Sequence, residues 1–129
     1  MRASCSGTGS RHAILGFVNR VVVARSAHRI PDRLPIRVEI GDRVKVGERD
    51  SEWPAFVFVT AQNGSGWVPE RHLEREGAAA VVKQRYDTTE LPTEEGEQLE
   101  VLCEDLRSGW FWCRAQSGRE GWVPERTLA

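Results

Sequence analysis

The chain has 129 residues, of which 29% are charged and 40% hydrophobic, and its formal net charge is −1. This is the composition of an ordinary globular protein and excludes a disordered or low-complexity chain. No apolar run is long enough to span a bilayer as a helix, and no basic stripe is present to meet phosphates, so neither membrane nor nucleic acid is expected as a partner.

In chain order, residues 1–19 are rich in Ser and Gly and predict a flexible N-terminal tail. Met1-Arg2 and the apolar residues 13–18 faintly suggest a secretion signal, but Asn19 and Arg20 interrupt the run and no convincing cleavage site follows. The expectation is a cytoplasmic protein; a start site assigned too far upstream gives the same picture. Val21-Val22-Val23 begins a strand, and residues 24–34 form a long loop containing Pro31. Residues 44–46 and 56–60 read as strands, Gln62-Asn63-Gly64-Ser65 as a turn and Trp67-Val68 as the strand after it.

After a joint at residues 74–80 the course repeats. Val81-Val82-Lys83 opens a strand, Glu94-Glu95-Gly96-Glu97 makes a turn, and Leu99-Glu100-Val101 alternates as a half-buried strand does. Residues 105–109 form a loop, residues 110–115 a strand, residues 117–120 a hairpin turn, and Gly121-Trp122-Val123 the next strand. Pro124 ends the pairing because it has no amide hydrogen to give, and a single turn through Glu125-Arg126-Thr127 returns Leu128 to the core. Short strands punctuated by glycine turns predict an all-β barrel or sandwich.

The two halves are copies. Gly66-Trp67-Val68-Pro69-Glu70-Arg71 returns unchanged as Gly121-Trp122-Val123-Pro124-Glu125-Arg126, displaced by 55 residues. Gly41 to Val46 matches Gly96 to Val101 at the same displacement, and Phe56 to Gln62 matches Trp110 to Gln116 at 54. A 55-residue repeat in two copies is too long and too few for a solenoid and reads as two domains, residues 20–74 and 75–129. Units this small have little room for an internal active-site cavity, which speaks against an enzyme. The first copy carries a net +1 and the second −4, a bias toward cationic ligands.

Catalytic and metal chemistry find no purchase. Cys5, Cys103 and Cys113 lack metal-ligand spacing, and the favoured reading of Cys103 and Cys113 is two reduced, partly buried thiols rather than a disulfide between neighbouring strands. His12, His28 and His72 stand alone as loop residues, and no serine sits in a nucleophile elbow. No cofactor is expected.

Glu90-Leu91, the turn ending in Gly96-Glu97, Leu99-Glu100-Val101, Gly109-Trp110-Phe111, Gly118 and Gly121-Trp122-Val123-Pro124 together resemble the Src homology 3 (SH3) family, in particular bacterial proteins with two variant domains of that kind in tandem. The resemblance covers about residues 20–129 and implies two small five-stranded SH3-like barrels. It further implies a non-enzymatic module whose aromatic groove receives a peptide, proline-rich or basic, from another protein. Carried onto the second copy, the groove is Tyr86, Trp110 and Pro124, with Asp87, Glu90, Glu104 and Asp105 on the acidic side and Trp122 as a further contact. Gln84 and Thr127 stand where the family has groove tyrosines, and in the first copy Phe56 aligns with Trp110 and His72 with Thr127.

Trp67 and Trp122 each precede an inward valine, so alternation turns their indoles away from the core. There they either pack under loops and between domains or form an exposed surface through which the chain self-associates.

Overall fold

The structure is a computed structural model and describes residues 20–129; the expected N-terminal tail, residues 1–19 with Cys5 and His12, lies outside the described residues. The strands are β1 (Arg20–Val23), β2 (Arg37–Val38), β3 (Arg43–Arg49), β4 (Phe56–Ala61), β5 (Gly64–Pro69), β6 (Leu73–Glu76), β7 (Ala79–Val82), β8 (Tyr86–Asp87), β9 (Gln98–Asp105), β10 (Trp110–Ala115) and β11 (Glu120–Pro124). Single 3-10 turns, Glu70–His72 and Glu125–Thr127, follow the two prolines. The fold class is all-β, as the alternation predicts.

The chain divides into two compact units that are not the two repeats. A contiguous unit is Leu34–Thr88; a split unit joins residues 20–33 to Thr89–Ala129. The expected boundary between residues 74 and 75 falls inside the contiguous unit, within β6.

The reason is local. Glu76 pairs with Ala79, so only Gly77 and Ala78 connect β6 to β7. A loop of that length permits one arrangement, two adjacent antiparallel strands. Gly77 takes φ +68° in the turn, a conformation glycine adopts without penalty. The first strand of the second repeat is thereby committed to the sheet that ends the first repeat. On its other side β7 pairs with β3, Val44 opposite Ala80, and the sheet runs β5-β4-β3-β7-β6.

β9 is left without a first strand from its own repeat, and β1 supplies one. Val22 lies opposite Leu99 and Val21 opposite Glu100, giving the order β1-β9-β10-β11. Leu99 corresponds to Val44 in the repeat, so β1 and β7 occupy equivalent places in the two units. The crossing between units also has a cause in sequence. Ile30 and Leu34 each precede a proline, Pro31 and Pro35, which disfavours helical backbone at both, and the chain bends at Asp32 and Arg33 between them.

The closed five-stranded barrels implied by the resemblance are not formed: the sheets are open, and β2 and β8 make a separate two-stranded pair. Pro69 and Pro124 end β5 and β11 and donate no amide hydrogen, and the 3-10 turns then lead the chain off those edges. In the split unit the return of Leu128 is a single bridge to Ala24, matching the Leu73–Val82 pair of the contiguous unit.

Each unit buries its own apolar set. Val22, Ala24, Leu91, Leu99, Val101, Phe111, Val123 and Leu128 fill the split unit, and Val44, Val46, Val57, Val59, Val68, Leu73 and Val82 the contiguous one. Cys113 lies in the core as expected and is a free thiol, its pKa pushed up to about 12 by burial. Cys103 corrects the expectation of two reduced thiols, because it is disulfide-bonded. The two are not cross-strand neighbours: a bulge after Trp112 sets Cys103 opposite Trp112 and Cys113 opposite Val101.

Candidate functional site

The split unit gathers aromatic and acidic groups at the start of β10. Trp110 pairs with Pro124 on one side and Asp105 on the other, and is 9% exposed. Its backbone is fixed by the preceding loop: Ser108 Oγ accepts from Trp110 N at 3.3 Å, and Gly109 takes φ +85°. Leu106, in the same loop, is 71% exposed.

His28 completes the group. It forms an antiparallel bridge with Thr93, each amide donating to the other's carbonyl at 3.1 Å, and Thr93 Oγ1 donates to Ser26 O at 3.1 Å. So held, the imidazole meets the Trp110 ring edge-on, centroids 5.5 Å apart, and its Nε2 lies 3.0 Å from Glu90 Oε1. Glu104 pairs with Arg20 at 3.0 Å, and Asp105 Oδ1 accepts from Arg107 N at 3.2 Å.

Of the residues expected in the groove, Trp110, Pro124 and Glu90 lie together in the split unit. Tyr86 and Asp87 belong to the contiguous unit. There Tyr86 is buried, pairs with Val38, and meets Phe56 and His72 edge-on at 6.5 and 5.2 Å. The Asp87 carboxylate accepts from Arg37 Nε at 3.2 Å.

His28 was missed because the arms align in a register of their own. It follows Val22 by the same interval as Tyr86 follows Ala80, and Val22 and Ala80 are the equivalent residues opposite Leu99 and Val44. The two places are therefore the same place twice: His28 beside Trp110, Tyr86 beside Phe56. In the contiguous unit the aromatic group is closed on itself, with Phe56, His72 and Tyr86 all buried and His72 Nδ1 3.2 Å from the carbonyls of Gln84 and Arg85.

Trp122 is buried to 2% exposure. Its amide donates to Thr89 O at 2.9 Å, its carbonyl accepts from Leu91 N at 3.1 Å, and its ring meets Trp112 edge-on at 5.2 Å. The neighbouring Gly121 explains half of the repeated motif: a Cβ there would stand 2.7 Å from backbone atoms of Glu90 and Leu91. Of the two readings offered for this indole, packing under a loop is the one its environment matches. Trp67 is half-buried against Phe58, ring centroids 5.0 Å apart. Among the described residues no group of His, Cys, Asp and Glu is arranged to hold a metal ion.

The family model described as SH3 domain matches residues 84–125, a stretch that includes Glu90, Trp110 and Pro124. No curated protein and no solved structure matches the chain. The match supports an SH3 domain and with it a general protein-binding role, SH3 domains being non-catalytic interaction modules. The matched stretch follows the second repeat, whereas its residues 84–88 fold in the contiguous unit.

Proposed function

We propose that the protein is a non-enzymatic interaction module that receives an extended peptide segment of a partner protein on the split unit, against Trp110, Pro124, His28 and Glu90. The observation that carries this reading is the meeting of His28 with both Trp110 and Glu90, which links an indole and a carboxylate through one imidazole. Ring faces pack on proline or aliphatic side chains, and a preformed left-handed segment loses little entropy on docking. The carboxylate favours a basic residue in the peptide, as does the acidic excess of residues 89–129, which hold nine acidic and four basic side chains.

Capture from a lysate with intact and Trp110→Ala protein, followed by titration of the captured partner, tests the reading. Loss of about 1–2 kcal/mol of affinity, measured under conditions where unfolding curves show the destabilised variant still folded, supports it. Undiminished binding by the variant removes the site.

A further inference from the structure

The split unit is assembled across an interruption in its chain. Residues 20–33, its arm, reach residues 89–129 through noncovalent contacts, because the sequence between them forms the other unit. The contacts are specific. Val22 and Ala24 enter the core, the Arg20 guanidinium lies 3.0 Å from Glu104 and 5.7 Å from the centre of the Phe111 ring, and His28 meets Glu90. Charge supports the same pairing: the arm has four basic residues and one acidic, its acceptor nine acidic and four basic.

We infer that the acceptor also takes the arm of a second copy of this chain, giving a reciprocal arm-exchanged dimer in which each Trp110 faces His28 of the other molecule. None of the contacts above depends on which molecule supplies the arm, so exchange preserves all of them and costs only the entropy of association. The chain already shows that a core accepts an arm from another repeat, since β1 on β9 and β7 on β3 share one register. The hinge is short and carries no regular element: Pro31 and Pro35 keep Ile30 and Leu34 out of helical backbone, with bends at Asp32 and Arg33 between them. Protein concentration then sets the balance between closed monomer and exchanged dimer.

Complementary charge reversal in the full chain tests the inference. Arg20→Glu alone and Glu104→Arg alone each place like charges together in a closed monomer. A mixed dimer with both arms exchanged relieves this at both junctions. One joins the two substituted side chains, a carboxylate at position 20 with a guanidinium at position 104, and the other joins the unsubstituted Arg20 and Glu104. Native mass spectrometry of the equimolar mixture should show the mixed dimer in roughly tenfold excess over either self-dimer, with the excess falling as salt rises. The pair is partly exposed, with side chains 44% and 25% accessible, so both variants should fold. As a control on folding, isotopically light and heavy unsubstituted chains mixed at high concentration should yield mixed-mass dimers. Equal amounts of mixed and self-dimers in the first experiment, or monomer alone at every concentration in the second, overturns the inference.

Discussion

Val22 lies opposite Leu99 in antiparallel register, although the two belong to different repeats. The equivalent pair, Val44 and Ala80, crosses the repeats in the other direction. Each core is thus closed by a strand from the other copy, and several consequences can be measured.

Val22→Ala removes buried methyl groups from the split unit and should cost about 2 kcal/mol of its stability. Amide and methyl shifts should move at Leu99, Val101 and Val123, which share its core, and stay in place at Val44 and Val57. Two-dimensional spectra of the variant, together with thermal unfolding, check both statements.

Tyr86→Ala and Trp110→Ala should separate a purely structural aromatic from one that also binds. Tyr86 is 4% exposed between Phe56 and His72, so its truncation should destabilise the contiguous unit by about 3 kcal/mol and leave partner affinity unchanged. Trp110 is buried as well, so Trp110→Ala should destabilise the split unit by about 3 kcal/mol and, unlike Tyr86→Ala, also weaken partner affinity. Denaturant unfolding and partner titration on both variants give the comparison.

Gly121→Ala and Gly66→Ala occupy matching places in the repeated motif yet should differ widely. The new Cβ meets fixed backbone at 2.7 Å in the first and only the Thr88 side chain at 3.3 Å in the second. We expect a loss of about 2–3 kcal/mol for Gly121→Ala and under about 1 kcal/mol for Gly66→Ala. Midpoints of denaturant unfolding decide it.

The strands and turns were legible because their signals are local: alternation in β3 and β9, glycines at the turns, prolines at strand ends. Partnership was not local. Residues 74–80 had the length of a linker between domains, but the pairing of Glu76 with Ala79 leaves only two residues to turn, and that decides which sheet β7 joins. For the same reason sequence alone places Tyr86 in the groove of its own repeat and does not single out His28, because the arms do not align at the 55-residue displacement of the cores. Alternation did turn Trp122 away from the valine core; it carried no information about the segment at Thr89–Leu91 that covers the ring.

Glu70 gives the contiguous unit a pH dependence. Hydrogen bonds and charge from Arg49 first and Arg75 second hold its carboxyl below the ordinary 4.5, outweighing the opposing effect of burial. A carboxyl lowered on folding contributes stability that is present above the unfolded value and lost as pH falls through the folded one. Solvent screening of this partly exposed network limits the contribution to under about 1 kcal/mol. Glu70→Gln should flatten the acid-side slope of stability below pH 4.5 and leave the slope above it unchanged, as read by unfolding at a series of pH values.

The exchange of strands between repeats is tested most directly by methyl nuclear Overhauser contacts in the full chain. Contacts of Val22 with Leu99 methyls, accompanied by contacts of Ala80 with Val44, are the predicted result. Contacts of Val22 with Val44 and of Ala80 with Leu99 would mean that each repeat closes on itself, and would contradict the account.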